Sequence, residues 1–364
     1  MKDLNIGFIG LGLIGGSIAK ALKKYHPNHK IIVYNRSKQA RNLALSDKIA
    51  DITTDKIDEN FSNCDYIFLC TPVEHNITYL DVLKKLIKSD CIITDVGSVK
   101  GNIHRAVKEK EMTKNFIGGH PMAGSEKTGY ENSSALILEN AYYAITPSDD
   151  VSKEKTDEFY KIIESIKAVP VVLDYNEHDY SVAAISHVPH LIASGLVNLV
   201  EDNDSENETM KLLAAGGFKD ITRIASSSPD MWQQICLANN DNIANLLDKY
   251  IKSLEEIKEA VSNKEPDYIF KLMEKSRTYR NSFNDKKNSL ISKSYRLYCD
   301  IEDESGAISL IATLLAIKSI SIKNIGIVHN REHEEGVLRI EFYSDEAVNK
   351  AVEILTKANY TIYL

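Results

Sequence analysis

The sequence predicts an α/β chain in three parts: a parallel sheet with crossover helices, an all-helical middle and a small α/β tail. Three observations carry this. Over the first 170 or so residues, short apolar runs alternate with helical patterns, as parallel strands joined by crossover helices do. From about residue 174 to 290 the periodicity is helical throughout. The last stretch reads strand, helix, strand, strand, helix, strand, the order of a ferredoxin-like unit. A chain of 364 residues is long enough for separate cores, and the expected domains are 1–173, 174–290 and 295–364.

Composition excludes several classes. The formal net charge of −8 argues against a nucleic-acid surface, which needs a clustered basic face. No apolar run approaches the ~20 residues that span a bilayer, and "MKDLNIGFIG" enters a strand at once. Neither a membrane partner nor a signal peptide is expected. Cys64, Cys70, Cys91, Cys236 and Cys299 are scattered without CxxC spacing. That predicts reduced thiols in a cytoplasmic protein, not a disulfide frame or a metal site.

The first strand, "LNIGFIG", runs into Gly10-x-Gly12-x-x-Gly15 and then a helical pattern. In that strand–turn–helix setting the spacing predicts a Rossmann-type dinucleotide site. Gly10 permits the tight turn, Gly12 admits a pyrophosphate to the backbone, and Gly15 lets helix pack on strand. The helix N-terminus, at Leu13 and Ile14, faces the phosphate charge. After the second strand, "KIIVYN", an acid usually binds the adenosine ribose; here Asn35 stands there, followed by Arg36. Asn35 can bond a hydroxyl but does not repel a 2′-phosphate, and Arg36 can attract one. NAD is expected, with NADP left open. "DYIFLCT" ends in Thr71 and is followed by Pro72; the two fit equally a loop beside the nicotinamide ribose or a plain strand-end turn.

"CIITDVGS" ends at Ser98, which reads as the N-cap of the next helix. "NFIGGH" ends at His120, between a glycine pair and Pro121, and "AYYAITP" and "AVPVVLD" complete the sheet. Ligands of such sheets bind outside the carboxyl ends of the strands, so Ser98 and His120 are expected on one side. Gly118 and Gly119 are expected to let this strand end approach cofactor and substrate, with Pro121 restricting the backbone beyond.

In the helical middle, "HDYSVAAISHVPHLIASGLVNLV" and "NIANLLDKYIKSLEEIKEAV" carry apolar residues at i, i+3, i+4 and i+7, the first run being broken at Pro189. It brings His187 and His190; "AAGGFKDITRIASSSPDMWQQI" adds Arg223 and the single tryptophan, Trp232. Taken singly, these residues fit a core, an ion pair and packing, and no HExxH or Cys/His pair supports zinc. Beside a dinucleotide site they mean more. Hydride transfer needs a base for the departing hydroxyl proton, and a carboxylate substrate needs a planar cation. Histidine and arginine suit those tasks. Residues 281–294 read as a polar linker, and in the tail a helix over 307–317 starts after Gly306.

Five stretches then carry a resemblance: "GLGLIGGS" (10–17), "TDVGSVKG" (94–101), "GGHPMAGSEKTG" (118–129), "ISHVPH" (185–190) and "AAGGFKDITRIASSSPDMW" (214–232). Together they resemble the prephenate dehydrogenase family, in its bacterial form with a C-terminal ACT regulatory domain. The last four are more specific than the fingerprint, because general hydroxyacid dehydrogenases do not share them. The resemblance implies oxidative decarboxylation of prephenate to 4-hydroxyphenylpyruvate and CO2 with reduction of NAD(P), and no metal. It implies that His120 is the base on the substrate hydroxyl and that Ser98 lies near that hydroxyl and helps orient His120. Arg223 matches the arginine gripping a substrate carboxylate, His190 a second substrate-side histidine, Glu126 an acid at the site mouth and Trp232 a tryptophan by the pocket; His187 has no clear part. Many relatives carry Asp where Asn35 stands. The helical region is expected to form a homodimer. The tail implies feedback by L-tyrosine near Asp303, Gly306 and Asn324. Rival readings are an arogenate or dual-specificity enzyme, a β-hydroxyacid dehydrogenase, which leaves "GGHPMAG" unexplained, and a non-catalytic amino-acid sensor, against which His120, Ser98 and Arg223 argue.

Overall fold

Strands that are apolar on both faces need cover on both sides, and the N-terminal strands are of that kind. The computed structural model describes residues 2–124, 127–283, 295–301, 304–328 and 336–363; by its contacts the chain divides into two compact units, 1–271 and 272–364. In the first, β1 (Asn5–Ile9), β2 (Lys30–Tyr34), β3 (Ile52–Thr54), β4 (Tyr66–Leu69) and β5 (Ile92–Asp95) form a parallel sheet in the order β3-β2-β1-β4-β5. Ile6, Phe8, Tyr66 and Phe68 pack on one face under α1 (Leu13–Tyr25) and α2 (Lys38–Ser46). Ile9, Ile67, Leu69 and Ile93 pack on the other under α3 (Val73–Leu86) and α4 (Gly101–Glu109). The sequence reading passed over β3, whose three half-buried residues are too few to show an alternation.

The expected single sheet ends at β5: the next three strands form a separate three-stranded sheet, and its first pair is antiparallel. β6 (Ile117–Pro121) is antiparallel to β7 (Tyr142–Pro147), with His120 opposite Ala144, while β7 is parallel to β8 (Val169–Val172). Between β6 and β7 only 3-10 turns occur among the described residues, so no crossover helix returns the chain to the starting edge. The helix α5 (Lys153–Ser165) then makes the crossover from β7 to β8. A parallel bridge, Ile93 to Phe116, ties β5 to the segment just before β6.

That proximity gives the glycine pair a steric reason. A Cβ on Gly119 would lie 2.6 Å from the Asp95 carbonyl oxygen and 2.8 Å from the Tyr143 hydroxyl; one on Gly118 would lie 2.9 Å from His104 Nε2. Close packing of β6 against its own neighbours is by itself enough to require these glycines.

The helical region comprises α6 (Tyr175–Val182), α7 (Val188–Asn203), α8 (Thr209–Leu213), α9 (Gly216–Thr222), α10 (Pro229–Ala238), α11 (Asn240–Ser262) and α12 (Pro266–Ser282). The expected break at Pro189 is absent. A π-helical turn, Ala183–His187, joins α6 to α7, with the Val188 N–H donating to Ala183 O five residues back. Pro189 then falls in the first turn of α7, where its missing N–H costs nothing. The continuous run Tyr175–Asn203 is therefore 29 residues long and, by length and composition, sufficient to cross a membrane, which corrects the expectation that no apolar run approaches that size. It packs through Ala183 and Val188 against Ile243 of α11.

In the second unit, β9 (Tyr295–Ile301), α13 (Ala307–Ile317), β10 (Ile322–Val328), β11 (Gly336–Phe342), α14 (Asp345–Lys357) and β12 (Ile362–Tyr363) build an antiparallel sheet in the order β10-β11-β9-β12. Leu297, Cys299, Leu338 and Ile340 pack under Ile311, Leu315 and Leu355. Gly306 has φ +99, a left-handed conformation that favours glycine. Glu126, Asp303 and residues 284–294 of the expected linker lie outside the described residues.

Candidate active site

The fingerprint turn sits at the carboxyl end of β1. Gly10 has φ +90, and a Cβ there would lie 2.6 Å from Thr71 Cγ2 and 2.9 Å from Cys70 O. A Cβ on Gly15 would strike Cys70 Cβ at 2.8 Å, whereas one on Gly12 would meet nothing within 4 Å. So two glycines serve packing and the third keeps open space in front of the helix. Gly12 is also the N-cap of α1 and supplies no side-chain acceptor, and the first turn holds no acid. The leading N–H groups at Leu13 and Ile14 are thus left for an anion. These residues fit a dinucleotide pyrophosphate.

Around that turn, Thr71 donates from N and Oγ1 to Asn76 Oδ1, at 3.2 and 2.6 Å, and Pro72 is the N-cap of α3. The Thr71 hydroxyl is already committed to Asn76, a buried residue the sequence reading missed. At the end of β2, Asn35 N donates to Thr54 O at 3.2 Å, and Arg41 Nη1 donates to Asn35 O at 2.5 Å and to Arg36 O at 3.1 Å. The backbone is thereby fixed while the Arg36 side chain stays exposed.

His120, at the end of β6, is half-buried. Its Nδ1 lies 2.8 Å from His178 Nε2, and His178 Nδ1 lies 2.8 Å from Asp179 Oδ1. Asp179 accepts from Lys100 N at 2.8 Å and Gly101 N at 2.7 Å. Lys100 in turn contacts Asp95 through its ammonium and donates to Gly119 O at 2.7 Å. Burial first, then the neighbouring His178, Lys100 and His187, hold the His120 imidazole well below its ordinary value. Burial likewise lowers Lys100, against the pull of Asp95. Among the described residues His120 Nε2 has no hydrogen bond.

This network corrects the reading of Ser98. The N-cap of α4 is Lys100, with no side-chain cap; the Asp179 carboxylate, from α6, takes the first N–H groups instead. Ser98 lies half-buried in the preceding bend, and the His120 ring contacts His178.

On the helical side, the His190 ring stacks on Trp232 with centroids 3.6 Å apart, and its Nδ1 lies 2.9 Å from Ser186 O. Burial lowers His190, the Ser186 carbonyl opposes that, and the Arg223 charge lowers it further; Arg223 opens the 3-10 turn Arg223–Ser226. Trp232 Nε1 is buried and has no partner among the described residues. A cleft of about 180 Å³ is lined by His190, Ser194, Ile224, Ser227 and Trp232. His187 is fully buried, takes Asn239 Nδ2 at 3.2 Å, and is lowered by burial to about 4. It is a core histidine.

His178, Asp179 and Lys100 were missed because they meet across about 80 residues of chain. One sequence cue existed: α4 starts at "SVKG" without a capping residue at its N-cap, so an acceptor had to come from elsewhere.

Two family models match this chain, "Prephenate dehydrogenase, nucleotide-binding domain" over residues 18–172 and "Prephenate dehydrogenase, dimerization domain" over residues 174–275. A prephenate dehydrogenase of Bacillus subtilis is 36% identical over 366 residues, covering 100% of this chain and 98% of the relative. The chain belongs to the prephenate dehydrogenase family. Another family member, from Lactococcus lactis, is 35% identical over 98% of both chains. The solved prephenate dehydrogenase of Aquifex aeolicus, in complex with hydroxyphenyl propionate and NAD+, superposes with a TM-score of 0.73 at 30% identity, over 78% of this chain and 99% of that one. A cyanobacterial arogenate dehydrogenase, from Synechocystis, gives 0.70 at 26% identity, over 77% and 100%. A non-catalytic sensor and a β-hydroxyacid dehydrogenase both fall away with family membership.

Proposed function

We propose that the site around His120 carries out the family's reaction, the oxidative decarboxylation of prephenate to 4-hydroxyphenylpyruvate and CO2, with His120 Nε2 as the base. The chain is an NAD-dependent oxidoreductase of tyrosine biosynthesis. The observation that carries the assignment of His120 is its half-buried place at a strand end, with Nδ1 engaged by His178 and Nε2 without a partner among the described residues.

NAD supplies the hydride acceptor when bound. It would be held by the open turn at Gly10, Gly12 and Gly15, the N–H groups of Leu13 and Ile14, Asn35 and Arg36, and the backbone of Thr71 and Pro72. His120, neutral because burial disfavours its charged form, takes the proton from the substrate hydroxyl as hydride leaves the same ring carbon. Loss of the ring carboxylate as CO2 then sends its electron pair through the ring, and the oxygen takes the proton back as the ring becomes aromatic. No metal or further electron sink is required. Arg223 grips a substrate carboxylate, a charge-assisted contact of about 1.5–3 kcal/mol. His190 and Trp232 Nε1, which has no partner among the described residues, offer further polar contacts, and Ser98 lines the cofactor side.

The domains run 1–173, 174–290 and 295–364. The helical region pairs two copies into a homodimer, and the tail is a ferredoxin-like ACT domain binding L-tyrosine near Asp303, Gly306 and Asn324. The five free cysteines fit a reducing, cytoplasmic setting. The deciding experiment is NAD(P)H formation from prephenate or arogenate with NAD or NADP. Turnover of prephenate with NAD is expected, and His120→Asn should lower kcat by ~10²–10⁴-fold. No turnover in any pairing overturns the reading, and a near-wild-type His120→Asn overturns the base.

A further inference from the structure

We propose that His178, oriented by Asp179, is a positioning residue that fixes the tautomer of His120, so that the nitrogen facing substrate is always the unprotonated one. The argument follows the donors. Lys100 N and Gly101 N can only donate, and both end on the Asp179 carboxylate, at 2.8 and 2.7 Å. Asp179 is thus the acceptor of its third bond too, and the proton between it and His178 sits on His178 Nδ1. A neutral imidazole with its proton on Nδ1 has a lone pair on Nε2. With His178 neutral, the group 2.8 Å from that lone pair, His120 Nδ1, supplies the proton for this bond. Its own lone pair is then on Nε2.

The arrangement acts twice. Before reaction it removes the tautomer in which Nε2 carries a hydrogen and is no base. During reaction, when Nε2 takes the hydroxyl proton, the His120 cation donates a charge-assisted bond from Nδ1 to His178, stronger than the neutral one it replaces. That gain arises only as charge develops, so it belongs to kcat and not to substrate binding. His178 and Asp179 are 2% and 5% exposed, so water does not compete for these bonds. Lys100 braces both ends: its backbone N–H holds Asp179 and its ammonium holds the carbonyl just before His120.

The proposal rests on His120 being the base, and its test separates the two. In full-length wild-type protein carrying 15N-labelled histidine, the ring nitrogens of His120 report the tautomer by NMR. A proton on Nδ1 is expected; a proton on Nε2 overturns the proposal without any variant being made. His178→Leu should lower kcat about 10²-fold or more while KM for NAD changes by less than about threefold. His178→Gln keeps a carbonyl that can accept from Nδ1–H and should regain about tenfold of that loss. A purely structural role predicts that both variants fall together, and equal losses overturn the proposal, as does a His178→Leu with near-wild-type kcat. If His120→Asn itself keeps turnover, the base assignment fails; an inactive His120→Asn beside an active His178→Leu overturns the role of His178 alone.

Discussion

Replacing Lys100 by Met removes a cation from a place with no exposed surface. The ammonium contacts Asp95 Oδ2 and donates to Gly119 O at 2.7 Å, and both side chains of the ion pair are 0% exposed. Met retains an unbranched stem, so the loss is mainly electrostatic. Asp95 keeps two backbone donors, Gly97 N at 2.9 Å and Gly119 N at 3.2 Å, but loses its counter-charge. Breaking a fully buried pair in this way costs about 3–5 kcal/mol. A stranded carboxyl can take up a proton instead, at about 1.36 kcal/mol for each of the roughly three units between pH 7 and an ordinary aspartate. That route caps the deficit at about 4 kcal/mol at pH 7 and about 1.5 kcal/mol at pH 5. The sign follows from linkage: the folded variant would bind a proton that the unfolded chain releases, so acid narrows its deficit and rising pH widens it. Urea unfolding followed by the fluorescence of Trp232, the single tryptophan, measures the catalytic unit at both pH values. A deficit below about 1 kcal/mol at pH 7, or one that grows on acidification, refutes the reasoning.

Three further outcomes are expected. Gly12→Val should fold with a melting temperature near wild type, because a Cβ there meets nothing within 4 Å, yet raise KM for NAD at least about tenfold by filling the phosphate space; an unchanged KM removes Gly12 from the cofactor site. Asn35→Asp should shift the kcat/KM ratio towards NAD over NADP by about tenfold through repulsion of the 2′-phosphate, and an unmoved ratio counts against that contact. Deleting residues 295–364 should abolish any inhibition by tyrosine in steady-state assays; inhibition that persists places the effector elsewhere.

What the sequence made legible was local. The fingerprint could be read because strand, turn and helix are adjacent in the chain, and the structure gives each glycine a separate steric reason. Helix 307–317 was legible from Gly306 and the apolar run that follows it. What stayed hidden depends on contacts between distant segments. The antiparallel β6 looks like any other short apolar run, since period alone carries no direction. Pro189 looked like a break because the π turn that absorbs it has no composition of its own. Ser98 looked like a cap because capping residues are counted locally, while the acceptor used here comes from α6. His178 was in plain view beside Asp179, but nothing in its spacing ties it to His120, and the glycines around His120 drew attention to ligands when they report neighbouring strands.

The carboxylate of Asp179 is shared between two tasks: it caps α4 on the nucleotide side and steadies the His120–His178 pair from the helical side. On the proposed reading, the base therefore belongs to one structural region and its arming group to another. Any chimera that grafts a foreign helical region onto this nucleotide-binding region inherits His120 intact, yet it works only if the donor brings its own histidine–aspartate pair to the same place. Substrate preference and competence of the base cannot be exchanged separately by swapping that region, which makes the junction near residue 174 a poor place to recombine these enzymes and single substitutions around His190 and Trp232 the better route to altered specificity.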